Sequence, residues 1–167
     1  MIRMLLLAAL LVASLTTANA LPQRAVFDFD GDNKSDDAVV RNVGGAFTWY
    51  IQRSTAGFTG LNWGVASTDT YVPGDYDGDL KWDVAVYRPG AQSYFYILRS
   101  SNGTVASIPF GITFDDPRIA QDYDGDGKCD PAVTRNVGGN LTFYILRSTL
   151  GFTGVTFGTA ATDVGIR

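Results

Sequence analysis

An all-β chain built from three repeated units is what this sequence predicts, and three observations predict it. A nine-residue acidic frame recurs with its first aspartate at Asp28, Asp75 and Asp122, a spacing of 47 residues both times. Between the frames lie short runs rich in β-branched and aromatic residues, about four per unit, divided by Gly, Asn, Asp and Ser turns, which is the signature of strands. Beyond residue 20 no stretch carries a helical period. A period of about 40 to 50 residues with four strands per unit points to three four-stranded β-propeller blades, small sheets stacked face to face. A β-sandwich and an open β-solenoid are the other folds that the pattern allows.

The chain opens on a leader. Arg3 supplies a short positive region, residues 4–13 form an apolar run, and Ala18-Asn19-Ala20 fits a small-x-small cleavage site. A signal peptide over residues 1–20 is expected, hence a secreted, periplasmic or cell-surface protein. The apolar run is too short for a membrane span, which needs roughly 20 residues. Residues 21–167 then read as one domain with repeats at about 22–67, 68–114 and 115–160.

Each repeat runs in the same order. In the first, Val26-Phe27 leads into the acidic frame, followed by Ala38-Val39-Val40-Arg41, a turn at Asn42-Val43-Gly44-Gly45, the run Phe47-Thr48-Trp49-Tyr50-Ile51, and Leu61-Asn62-Trp63-Gly64. The second has Val84-Ala85-Val86-Tyr87-Arg88, Tyr94-Phe95-Tyr96-Ile97-Leu98 and Ser107-Ile108-Pro109-Phe110-Gly111. The third has Ala132-Val133-Thr134-Arg135, Phe143-Tyr144-Ile145-Leu146 and Val155-Thr156-Phe157-Gly158. Runs such as 94–98 are apolar on both faces, so sheets buried on both sides are expected. Trp49 and Trp63, within strand runs, belong in the core between units.

The frames themselves are Asp28-Phe29-Asp30-Gly31-Asp32-Asn33-Lys34-Ser35-Asp36, Asp75-Tyr76-Asp77-Gly78-Asp79-Leu80-Lys81-Trp82-Asp83 and Asp122-Tyr123-Asp124-Gly125-Asp126-Gly127-Lys128-Cys129-Asp130. Four carboxylates within nine residues repel one another unless a cation sits among them. Oxygen ligands at alternate positions suit Ca²⁺, with a backbone carbonyl at position 7. That assigns Lys34, Lys81 and Lys128 as carbonyl ligands and about three Ca²⁺ to the chain. An EF-hand needs glutamate at position 12, and Val39, Val86 and Val133 stand there instead. Affinity in the roughly 10⁻⁴ to 10⁻³ M range of extracellular modules is expected, with the ion pinning each loop.

The frame, the Ala-Val strand after it and the closing Trp-Gly or Phe-Gly resemble FG-GAP/VCBS repeats, the integrin-α-type calcium-binding β-propeller repeats. The resemblance spans essentially all of residues 21–167 and rests on three copies in register. It implies Ca²⁺ held by the aspartates at positions 1, 3, 5 and 9 and by the position 7 carbonyl of each loop, and a role in adhesion or ligand binding. The integrin-type loop carries its glycine at position 6, whereas Gly31, Gly78 and Gly125 occupy position 4. Closed propellers need about four blades or more, so three repeats imply either a piece of a longer propeller or copies that associate to complete a ring.

Composition narrows the chemistry. All 17 acidic residues are aspartate and there is no histidine. Without Arg3 the net charge goes from −4 to −5, and three Ca²⁺ would bring it to +1. There is no basic cluster for nucleic acid. Lacking His and Glu, the chain lacks the commonest general bases, and a non-enzymatic protein is expected. The aspartates outside the frames are Asp37, Asp69, Asp115, Asp116 and Asp163, with Asp115-Asp116 read as a solvated turn. Cys129, the one cysteine, is read as a tolerated small residue. Trp82, whose counterparts are Ser35 and Cys129, is expected to be exposed and available to stack on a sugar or a partner side chain. An extracellular protein or a glycan is the expected ligand. The alternatives are an accessory segment of a secreted carbohydrate-active enzyme and a lectin-like homo-oligomer.

Overall fold

Ten strands and no helix make up residues 24–166, the residues that the structure, a computed structural model, describes. The leader expected over residues 1–20 lies outside them. Among the described residues no helix is long and apolar enough to cross a membrane. The strands form three antiparallel sheets, one per repeat. The first holds β1 (Asp37–Val43), β2 (Ala46–Arg53) and β3 (Gly57–Val65). The second holds β4 (Thr70–Tyr71), β5 (Val84–Arg88), β6 (Tyr94–Leu98) and β7 (Val105–Pro109). The third holds β8 (Ala132–Val137), β9 (Asn140–Arg147) and β10 (Gly151–Thr159).

Turn chemistry sets the hairpins. Val43 pairs with Ala46 and Val137 with Asn140, leaving two-residue turns at Gly44-Gly45 and Gly138-Gly139. Both glycines of each turn have positive φ (60° and 90°, 58° and 91°), the mirror-image turn that matches strand twist and that only glycine adopts freely. Asn42 and Asn136 lock these turns by accepting the N–H of Gly45 and Gly139 at 3.0 and 2.9 Å.

Among the described residues, four strands per sheet, the sequence expectation, holds only for the middle sheet. The third repeat shows where the ladder stops. Thr70 pairs with Tyr87 and Tyr71 with Val86, after which the Val72 N–H reaches the Ala85 carbonyl at 2.9 Å. The matching segment begins the same way, with Asp116 bridged to Thr134. Pro117 follows, and the Arg118 N–H then turns back to Asp116 Oδ1 at 3.1 Å instead of extending the ladder.

The sheets pack face to face in chain order, and β5 shows how. Its Val84 and Val86 pack with Trp49, Ile51 and Phe29 of the first repeat. Ala85 and Tyr87, on the opposite face, pack with Val133, Ala120 and Cys129 of the third. Period-2 alternation thus commits both faces of one strand to core, and all four residues are buried. Trp49 is fully buried, and Trp63 crosses the joint, its Nε1–H donating to the Tyr96 carbonyl at 3.1 Å.

Candidate metal centres

The acidic frame of each repeat lies just before β1, β5 or β8 and folds on its own side chains. The neck closes where the position 9 N–H reaches the carbonyl just before position 1, from Asp36 to Phe27 (2.9 Å), Asp83 to Gly74 (2.8 Å) and Asp130 to Gln121 (2.9 Å). The position 1 carboxylate then accepts two loop N–H groups. Asp28 takes those of Gly31 and Asn33 at 2.6 and 2.7 Å, Asp75 those of Gly78 and Leu80 at 2.6 and 3.0 Å, and Asp122 those of Gly125 and Gly127 at 2.7 and 2.8 Å. Wrapping the chain this tightly requires positive φ at position 4, where all three loops have glycine, and again at position 6. Position 6 is Gly127 in the third loop, but Asn33 and Leu80 in the others, at φ 64° and 73°. Both the position 4 glycine and the position 6 turn are therefore present, and Leu80 carries backbone strain of about 1 kcal/mol.

Position 9 ties the loop to the sheet. Asp36, Asp83 and Asp130 each accept the N–H of position 2 at 2.8–2.9 Å. Each also accepts, at 2.7 Å, the N–H of the serine that follows the central hairpin strand: Ser54, Ser100 and Ser148. The same serines turn their hydroxyls on position 5, as does Thr55. Ser54 donates to Asp32 at 2.6 Å, Ser100 to Asp79 at 2.9 Å and Ser148 to Asp126 at 2.5 Å. These serines were not singled out from the sequence. Their signal was the tripeptide Arg-Ser-Thr or Arg-Ser-Ser after each Ile-Gln or Ile-Leu run, at Arg53, Arg99 and Arg147.

Position 3 decides what the loops can hold. One oxygen of each position 3 carboxylate is used: Asp30 accepts the N–H groups of Thr55 and Ala56, Asp77 the Ser101 hydroxyl, and Asp124 the N–H groups of Thr149 and Leu150. The other, Oδ1 of Asp30, Asp77 and Asp124, is buried and has no hydrogen-bond partner, in all three loops. A buried carboxylate oxygen without a partner costs several kcal/mol unless a cation meets it. Carboxylate oxygens of Asp28, Asp30 and Asp32, of Asp75, Asp77 and Asp83, and of Asp122, Asp124 and Asp130 lie within 4.8 Å of one another. Three carboxylates per loop thus converge, and all three loops could hold a metal ion. The fourth stands aside: Asp36 in the first loop, Asp79 and Asp126 in the others. Lys34, Lys81 and Lys128 accept no hydrogen bond at their carbonyls from the described residues, which leaves those oxygens available as ligands.

Electrostatics agree. Burial pushes the Asp83 carboxyl up to about 6 and raises those of Asp75 and Asp130, the former despite Arg24 at 3.2 Å. Hydroxyl hydrogen bonds from Ser54 and Thr55 hold Asp32 well below the usual carboxylate range, and Thr149 lowers Asp124. The third loop thus sets Asp130, which resists ionisation, beside Asp124, which is held as an anion, an environment that a divalent cation relieves. The donor set is oxygen only, which suits Ca²⁺ or Mg²⁺ over thiolate- and imidazole-seeking metals.

The remaining singled-out residues sort as follows. Trp82 is half-buried, not exposed: its ring centre lies 4.5 Å from Phe27 and its edge meets Phe29. Cys129 is buried against Gly74, where an added Cβ would come within 2.6 Å of its Sγ, so the joint needs small residues on both sides. Asp115 is not solvated. It is buried and accepts hydrogen bonds from Nε and Nη2 of Arg135 at 2.7 Å each, while Asp116 pairs with Arg118. Comparison with family models, curated proteins and solved structures found no match.

Proposed function

We propose that this is an exported, non-enzymatic Ca²⁺-binding repeat protein, its three sheets being blades of the β-propeller type that FG-GAP/VCBS repeats form, with one ion pinning each acidic loop. The observation that carries the reading is the thrice-repeated, buried and partnerless Oδ1 at position 3, inside a cluster of oxygen donors. The ion is structural. It neutralises carboxylates that would otherwise repel, and it fixes the loop around them. With twelve of the 17 aspartates engaged in the loops and no histidine or glutamate, the chain has few groups left for acid–base chemistry. Its role is adhesion or recognition of an extracellular protein or glycan.

A thermal melt tests the metal. At a Ca²⁺ concentration ten times a Kd of about 1 mM, each site adds about 1.4 kcal/mol, so three sites add about 4 kcal/mol. For a domain of this size that raises Tm by roughly 10 °C over the value in EGTA. Equal melting temperatures in the two buffers would refute the reading.

A further inference from the structure

We propose that a second copy of this chain docks head to tail on the two end sheets, Asp163 of one copy seating on Arg41 of the other at two equivalent joints, so that six sheets close a ring. The joints inside the chain supply the template. At the first, Asp69 accepts the Val65 N–H through Oδ2 (2.8 Å) and the Thr68 hydroxyl through Oδ1 (2.9 Å), and receives Nε and Nη2 of Arg88 at 2.8 Å each. At the second, Asp115 accepts the Ile112 N–H at 2.8 Å and receives Arg135. Both aspartate side chains are fully buried. Each arginine also lies over the tyrosine of its own sheet, Arg88 over Tyr96 at 5.0 Å and Arg135 over Tyr144 at 4.7 Å.

The two ends carry the halves of a third such joint. Asp163 accepts the Thr159 N–H through Oδ2 (2.7 Å) and the Thr162 hydroxyl through Oδ1 (2.9 Å), the pose of Asp69, with no arginine on it among the described residues. Arg41 lies over Tyr50 at 5.0 Å, the pose of Arg88 and Arg135, and no carboxylate among the described residues pairs with it. A bidentate arginine–carboxylate pair with both partners already held in position loses little entropy on forming.

The loops repeat the same message. Lys81 lies over Gly31 and Lys128 over Gly78, while the third-loop counterpart, Gly125, faces open space and Lys34 is exposed. The Trp82 N–H donates to the Asp28 carbonyl at 2.7 Å and the Cys129 N–H to that of Asp75 at 2.6 Å. The next pair in the series, the Ser35 N–H and the Asp122 carbonyl, forms no hydrogen bond among the described residues. The apolar faces correspond too. Val86 and Val133 are 1% and 0% exposed inside the joints, whereas Val39 is 59% exposed, and Phe157, the counterpart of Trp63 and Phe110, is 76% exposed. Head-to-tail contacts close into rings when the rotation permits, and the six sheets of two copies fall within the usual four to eight blades. The pairing uses no loop carboxylate, so it stands whether or not the metal reading does.

Light scattering on the purified protein in Ca²⁺ buffer at about 100 µM, ample for a Kd at the micromolar scale, gives twice the mass of one chain. Arg41→Asp alone and Asp163→Arg alone each give the mass of one chain. Mixing these two variants restores the double mass, since each then meets an opposite charge at both joints, and that recovery also shows that both are folded. A monomeric wild type, an open series of larger masses, an Arg41→Asp variant that stays dimeric, or a mixture that stays monomeric would overturn the proposal.

Discussion

Val86 and Val39 hold the same place in consecutive repeats, twelfth from the first loop aspartate, yet one is sealed and the other open. The difference lies in the neighbours. The middle sheet has a sheet against each face, so the residues of β5 alternate between two cores and all are covered or nearly so. β1 is exposed along almost its whole length, as is β10 at the other end. Stability in such an array resides in the joints between units at least as much as in the units, and the same substitution should cost different amounts in the middle and at the ends.

The largest contrast is at the arginines. Arg88→Met or Arg135→Met leaves a fully buried aspartate without its cation, and each should cost about 2 kcal/mol after allowance for the partial exposure of the arginines. Arg41→Met, measured by urea denaturation at dilutions where single chains prevail, should cost under about 0.5 kcal/mol. Equal costs at all three positions would break the distinction between joint and end. The first joint also makes a pH prediction. Burial acts to raise the Asp69 carboxyl, but its hydrogen bonds to Arg88 and to the Val65 N–H outweigh that and hold it below its ordinary 3.8. The stabilisation is therefore present above pH 3.8 and is lost as pH falls through the lowered value. Acid denaturation curves should show Arg88→Met lacking that part of the loss.

Valine truncation comes next. Val86→Ala opens a cavity between the first and second sheets and should cost about 2 kcal/mol, whereas Val39→Ala should stay within about 0.5 kcal/mol. The smallest effect is local. Leu80→Gly removes a strained left-handed leucine whose side chain is exposed, and should stabilise by up to about 0.5 kcal/mol once the greater freedom of glycine in the unfolded chain is counted. A destabilisation would show that the Leu80 side chain has a packing role.

Much of this was legible in the sequence, for a physical reason: a 47-residue repeat writes each element three times, so strand runs, loops and tryptophan positions reinforce one another. The antiparallel sheets, the burial of Trp49 and the convergence of loop carboxylates all follow from patterns local to one unit. What was not legible depends on contacts between units. Asp69, Asp115 and Asp163 lie in the connecting turns, and the second turn is one residue shorter from glycine to aspartate, which takes Asp115 off the exact period. Their role as clasps appears only when the next repeat's arginine is in place. The clasping serines fall at spacings of 46 and 48 residues, which hides them from a strict register. The outermost strand of the third sheet stops after one bridge, where the Arg118 N–H turns back to Asp116. Trp82 is partly covered because Phe27 and Phe29 fold back over it, a contact that no period encodes.

The most direct test of the central claim is calorimetric titration of Ca²⁺ into chelator-treated protein, alongside a variant carrying Asp30→Asn, Asp77→Asn and Asp124→Asn. Three ions per chain, with Kd of about 10⁻⁴ to 10⁻³ M, and loss of binding in the triple variant are the predicted results. An absence of Ca²⁺ binding at millimolar concentration, or unchanged binding after all three position 3 carboxylates are neutralised, would contradict the account.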